Sequence, residues 1–264
     1  TCLISSISGM AAIAAHRSAR TYIFAVKFID AYVKSPFAGL APWILMAVLN
    51  GPGRFEEAAS AGLGLTLLTL WVGRRRGVPV HLIESFTAVY FAVLAILGIV
   101  APPATISWLE MWAGELSNIA LALFVVVTLL IRRPFTLAYA KDTTPEEHWD
   151  NPLFLRINYV ISAFWGGAFV VSALAGAYGD LVLGDNDNFW TAWIVPIGMI
   201  IWAVAFTEFY PDYATAKAQH AAGEPAEAAP SLLAVFDWFP PFVTVIGIVA
   251  LVSDALPAAG AHGR

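Results

Sequence analysis

Seven mostly apolar stretches run along the chain, at 36–50, 57–73, 80–100, 108–131, 152–178, 189–208 and 231–256. A helix needs about 20 apolar residues to cross a bilayer, with a lower limit near 17. Most of these stretches reach that limit, and the first falls short of it. The pattern therefore predicts an all-α polytopic membrane protein, a bundle of six to seven transmembrane helices. Ahead of the first stretch, Tyr22, Val26, Ile29 and Val33 share one helical face, and Lys27, Asp30 and Lys34 share another. That division suits a helix lying in the membrane interface. Residues 3–15 are apolar apart from three serines, too short a run to span, and belong with the same N-terminal amphipathic region. The expected organisation is an interfacial segment over 1–35 and a transmembrane helical domain over 36–264.

Local signals sharpen these boundaries. Asn151-Pro152 reads as an N-cap followed by proline in the first helical turn. The run Asp185-Asn186-Asp187-Asn188 offers several caps for the sixth stretch, and Pro240-Pro241 places the start of the seventh helix close to itself. Trp43, Trp71, Trp108, Trp112, Trp190, Trp193 and Trp238 fall near the expected span ends, as interfacial aromatic belts do. Residues 214–230 are rich in Ala, Glu and Pro with no apolar period, and read as a mobile loop.

Composition agrees with a membrane chain. Of the 264 residues, 59% are hydrophobic and 12% charged, and mean hydropathy is +0.72. A soluble domain carries about 25% charge, so this chain cannot coat a globule with polar surface. A soluble enzyme and a secreted disulfide scaffold are excluded; the one cysteine, Cys2, forms no internal disulfide. Net charge is −5, with no basic block for a nucleic-acid partner. Basic loops stay cytoplasmic. With seven spans and the N-terminus inside, Arg17, Arg20, Lys27, Lys34, Arg74, Arg75, Arg76, Arg132, Arg133, Lys141, Arg156 and Lys217 all lie inside. Only Arg54 and Arg264 lie outside. The expected location is the bacterial inner membrane, multi-pass, with a cytoplasmic N-terminus. The segments LTLWVGRRRG and VVTLLIRRPF each close a hairpin with a basic turn, as cytoplasmic turns commonly do.

An ionisable group inside a membrane is costly, about 2.5 kcal/mol or more on insertion scales, and so marks a candidate site. Glu84 lies three residues after His81, on one helical face, as a proton-linked or substrate-binding pair or an interfacial pair beside the Arg74–Arg76 turn. Glu115 is expected two turns inside the fourth span, sharing a face with Asn118, as a functional carboxyl or a helix–helix hydrogen bond. Arg156, Asn158, Glu208 and Asp237 belong to the cytoplasmic half. There Arg156 either bridges to Glu208 or Asp237 or snorkels to headgroups, and Asp237 sits near a cap. No catalytic residue, metal ligand set or cofactor is expected. The four lysines, Lys27, Lys34, Lys141 and Lys217, include none deep in a late span for a retinal Schiff base. Only His81 is near a span, which argues against bis-histidine haem. Metalloprotease, phosphate-loop and nucleophile-elbow motifs are absent.

Over about 38–213 the order of elements resembles the intracellular septation protein A family of bacterial inner-membrane proteins. The likeness is carried by GLAPWILMAVLN, the basic turn WVGRRRG followed by HLIESF, the basic-proline turn RRPF, the acidic segment EEHWDNP and the opening RINYVISAFWGGAF. The family's proteins are smaller, so the seventh stretch and the N-terminal region are departures. The resemblance implies envelope synthesis and division through partner contacts, with no catalytic residues to transfer. It assigns Arg132, Arg133, Pro134, Trp149, Asn158 and Trp165 as structural or partner-contact positions.

The expected function is a non-enzymatic scaffold or accessory subunit of a larger membrane or envelope assembly. Its partners would be the lipid bilayer and another membrane protein or a second copy. Small-residue faces at Gly166-Gly167 and at Ala58, Ala61 and Gly62 permit close helix approach. The rival is a small-solute or lipid transporter using Glu115, Glu84 and Arg156, favoured by proline-interrupted spans at Pro42, Pro196 and Pro240. An enzyme acting on a lipid headgroup is the third reading.

Overall fold

The computed structural model describes residues 37–223 and 228–261. The expected interfacial helix over 22–33 lies outside these residues. Among the described residues the structure is helical and contains no strand. Five helical stretches are long and apolar enough to cross a membrane: Leu82–Val100, Ala113–Leu130, Pro152–Leu183, Phe189–Ala221 and Leu232–Val249. The chain is a helical membrane protein by length and composition of its elements. Its helices fall into two compact units, one ending at Ala101 and the other beginning at Pro102.

The first unit contains α1 (Phe37–Leu49), α2 (Phe55–Arg75) and α3 (Leu82–Val100). At 13 residues, α1 is about 20 Å long, short of a bilayer core. The 21 residues of α2 are framed by Glu56-Glu57 in its first turn and Arg74-Arg75 in its last, which shortens its apolar stretch. Lipid supplies little hydrophobic drive between helices, so close packing and hydrogen bonds must hold them. Ala58 and Ala59 are fully buried, and Gly62 lies directly beneath the Phe91 ring. Trp43 stacks on Tyr90 at 4.5 Å and meets Phe91 edge-on at 5.3 Å. Its indole N–H donates to Thr87 Oγ1 at 3.0 Å. Trp43 is 6% exposed, so it is a core residue of this unit and not part of an interfacial belt. Trp71, by contrast, is 58% exposed with Arg75 over its ring.

The second unit contains α4 (Pro103–Met111), α5 (Ala113–Leu130), α6 (Phe135–Thr143), α7 (Pro152–Tyr178), α8 (Val195–Ala221) and α9 (Phe239–Ala261). Helix α7 is central, packed between α5 and α8. Asn151 caps it as the sequence suggests, its side chain accepting from the Leu153 N–H at 2.8 Å. Gly166 admits Val125 of α5, whereas Gly167 faces open space. On the other side Phe164 stacks on Phe206 at 4.1 Å, and Trp165 donates to Thr207 Oγ1 at 3.0 Å.

Three expectations need correction. The fourth stretch is not one helix: it breaks at Trp112, whose φ of −99° and ψ of 11° leave the helical region. The sixth helix does not stop at Glu208 but continues through Pro211 to Ala221. Alanines at 214, 216, 218 and 221 carry it, because alanine has the highest intrinsic helix propensity and needs no apolar period. The helix ends where Gly223 takes a φ of 73°. Of the prolines read as interruptions, Pro42 lies inside α1 and Pro196 inside the continuous helical stretch Phe189–Ala221, but Pro240 interrupts no helix. Pro196 occupies the opening turn of α8, and Pro240 is the second residue of α9.

Candidate functional site

The break at Trp112 changes the setting of Glu115. The residue lies in the first turn of α5, not two turns inside a continuous helix. Helix breaks orphan backbone N–H groups, and Glu115 is the acidic residue of the first turn that follows. Its carboxyl crosses to α7. It rests on Gly176, where any Cβ would collide with it, and Asp180 follows Gly176 by four residues, about one helical turn.

Asp180 was not a sequence candidate, because it lies two residues beyond the expected fifth span. It comes within reach because α7 continues past Tyr178 as a π-helical segment, Gly179–Leu183. π-Helical turns are rare and frequently mark functional sites. A second such segment, Phe189–Ile194, follows the loop and is capped by Asn188, whose side chain accepts from the Trp190 and Thr191 N–H groups. Gly179 gives Thr191 its place, since a side chain there would strike the Thr191 hydroxyl. Asp180 Oδ2 and Thr191 Oγ1 are both buried without a hydrogen-bond partner. The sequence signal for Asp180 is Gly176-Ala177-Tyr178-Gly179-Asp180, where two small residues one turn apart permit close approach and a carboxyl follows.

Glu115 and Asp180 thus put two carboxyl groups at this junction of α5 and α7. Asn118 does not join it: its amide donates back to the Gly114 carbonyl at 3.0 Å.

The remaining candidates divide between structural work and exposure. Glu84 is buried and accepts from the His81 N–H at 2.8 Å, closing the N-terminus of α3 as a capping box. It also lines two small clefts in the first unit, which share Thr69 and Leu70. Asn158 is buried and donates to the Phe154 carbonyl at 2.9 Å. Its own carbonyl accepts from Thr136, whose hydroxyl also meets Ser162 at 2.9 Å, and this docks α6 on α7. Trp149 donates to the Thr144 carbonyl at 2.9 Å, with Lys141 over its ring. Pro134 is buried, while Arg132 and Arg133 are exposed.

Arg156, Glu208 and Asp237 are not brought together. All three are exposed, and no ion pair joins Arg156 to either carboxylate among the described residues. Asp237 follows the 3-10 turn Leu232–Phe236, just ahead of α9. Among the described residues no group of three or more His, Cys, Asp or Glu side chains could hold a metal ion. No family model, curated protein or solved structure matches this chain.

Proposed function

We propose that the chain is a non-enzymatic protein of the bacterial inner membrane, with six to seven crossings and a cytoplasmic N-terminus. In this reading it serves as a scaffold or accessory subunit of a larger membrane or envelope assembly, distantly akin to the intracellular septation protein A family. One observation carries the reading. Buried polar side chains join helix to helix at Trp43–Thr87, Thr136–Ser162 and Trp165–Thr207, while the last two helical stretches stay largely uncovered. Half of the best apolar window in Pro152–Leu183 is buried, against 11% in Phe189–Ala221 and 6% in Leu232–Val249. Another helical membrane polypeptide would cover those faces by the same close packing.

The test is extraction from bacterial membranes into lipid nanodiscs without detergent, followed by native mass spectrometry. A helical membrane protein at fixed stoichiometry is the expected result. A chain that emerges alone from every preparation overturns the scaffold reading. The acidic pair at Glu115 and Asp180, with Pro42 inside α1, favours small-solute transport as the second reading. Solute flux in liposomes that vanishes in Glu115→Gln would establish it.

A further inference from the structure

Three helices of the first unit meet at a polar seam. On α2, Thr66 and Thr69 are three residues apart and share one helical face, and on α3 Glu84 and Thr87 do the same. All four are buried, none more than 8% exposed. Together with Ala38, Gly39 and Pro42 of α1 they line a cleft of about 10 Å³, room for one water-sized particle. A second cleft of the same volume shares Thr69, Leu70 and Glu84 with the first and extends past Gly73 to Arg74.

The chemistry of the first cleft is one-sided. A hydroxyl has one proton and two lone pairs. Thr66 donates its proton to the Gly62 carbonyl at 2.8 Å, which leaves its lone pairs as acceptors. Thr87 directs its proton to the Gly39 carbonyl at 3.5 Å and accepts from the Trp43 indole at 3.0 Å. Glu84 accepts from the His81 N–H at 2.8 Å, and a carboxylate has about four acceptor positions in all. Pro42 has no N–H to give the Ala38 carbonyl, the bond an uninterrupted helix would form there. Gly39 has no side chain and meets the cleft with its backbone.

We propose that this cleft binds one monovalent alkali cation, held by the Glu84 carboxylate and by oxygens of Thr66, Thr69, Thr87 and Gly39. Acceptor oxygens select a cation over an anion, and hard oxygens select an alkali or alkaline-earth ion over a soft transition metal. One carboxylate neutralises one positive charge. A divalent ion would leave net charge among the apolar residues of the unit, where an unpaired charge is costly. Calcium and magnesium also demand more carboxylates or retained waters than a cleft of this size admits. Carbonyls freed at a break in a membrane helix are a general source of such ligands. Arg74 lines the second cleft but not the first and is exposed, so its guanidinium does not occupy the cation's place. The bound ion fastens the short α1 to α2 and α3. The inference does not depend on the scaffold reading.

Hydrogen–deuterium exchange of the full chain in nanodiscs, at fixed pH and ionic strength, tests the site. NaCl and KCl are each titrated against N-methylglucamine chloride, whose cation is too large for the cleft. In the wild type, protection of 37–49 is expected to rise with at least one alkali ion, by about tenfold for each tenfold increase above its dissociation constant, the slope of one-ion mass action. Protection of α5 and α7 stays constant. Glu84→Gln keeps a carbonyl oxygen to accept from the His81 N–H and removes the charge, so its α1 is expected to ignore the alkali ions. Thr69→Val keeps the shape and removes one oxygen, so the rise is expected to move to higher concentration. Equal exchange of the wild type in all three salts overturns the inference. So does an alkali-ion effect that persists unchanged in either substitution, or one of equal size in α5 and α7, which is a general effect of salt.

Discussion

Arg132 holds the left-handed conformation, with φ of 59°, at the end of α5. The N–H of Arg132 bonds to the Leu129 carbonyl at 3.1 Å and that of Arg133 to Thr128 at 2.8 Å. That is a Schellman closure, a motif that usually puts glycine at the position Arg132 occupies. The same closure ends α2, where Gly77 bonds to Arg74 at 3.2 Å and Val78 to Gly73 at 2.9 Å. There the left-handed residue is Gly77. The similarity of the two basic turns in sequence thus reflects one capping geometry used twice. A non-glycine residue in this region costs about 1–2 kcal/mol. Arg132→Gly is expected to raise stability by about 1 kcal/mol and Gly77→Ala to lower it by a similar amount, read as thermal midpoints in detergent. Midpoints that move in the same direction would refute the shared geometry. Glu115 was legible at this scale because a carboxyl in an apolar run stands out. Asp180 was not, because its approach depends on a π-helical extension that leaves no periodic signature.

Helix α2 carries two glycines that look alike in sequence and sit in opposite environments. Gly62 lies under the Phe91 ring, where a methyl group would overlap the ring, whereas nothing lies within 4 Å of a methyl at Gly64. Overpacking costs about 1–3 kcal/mol, and glycine inside a helix costs about 0.5–1 kcal/mol relative to alanine. Gly62→Ala is therefore expected to lower the thermal midpoint and Gly64→Ala to raise it. Equal effects would mean that α2 and α3 do not pack through this face. The same scale shows why the reading of α8 fell short. Hydropathy ends where polar residues begin, near Glu208, but helix propensity does not. The alanine run carries the helix past Pro211, at a position where the lost N–H would have bonded the Thr207 carbonyl. Caps were more legible than lengths, because a cap is a local bond. Asn151 and Asn188 do what their positions suggest.

At the scale of the whole molecule, α1 and α2 decide how many times the chain crosses the membrane. The hydropathic elements were legible, but 13 residues in α1 and the charged ends of α2 leave that pair able either to cross or to dip and return. The choice does not alter the orientation expected for the rest, because removing two crossings together restores the same side. In the expected orientation, α7 with its extension would join α6 on the inside to the loop at 184–188 on the outside. At 32 residues it rises about 48 Å, enough for a core of about 30 Å. In a Cys2→Ala background, a cysteine at Thr143 is expected to resist an impermeant maleimide on intact cells, and one at Asn186 to react. The reverse would overturn the orientation inferred from the basic residues. Pro52, exposed between α1 and α2, then separates the two counts. Labelling of a cysteine there means that α1 and α2 both cross, giving seven spans. Protection, with Asn186 still labelled, means that the pair re-enters and leaves five, the number of helical stretches whose length and hydropathy already suffice to cross.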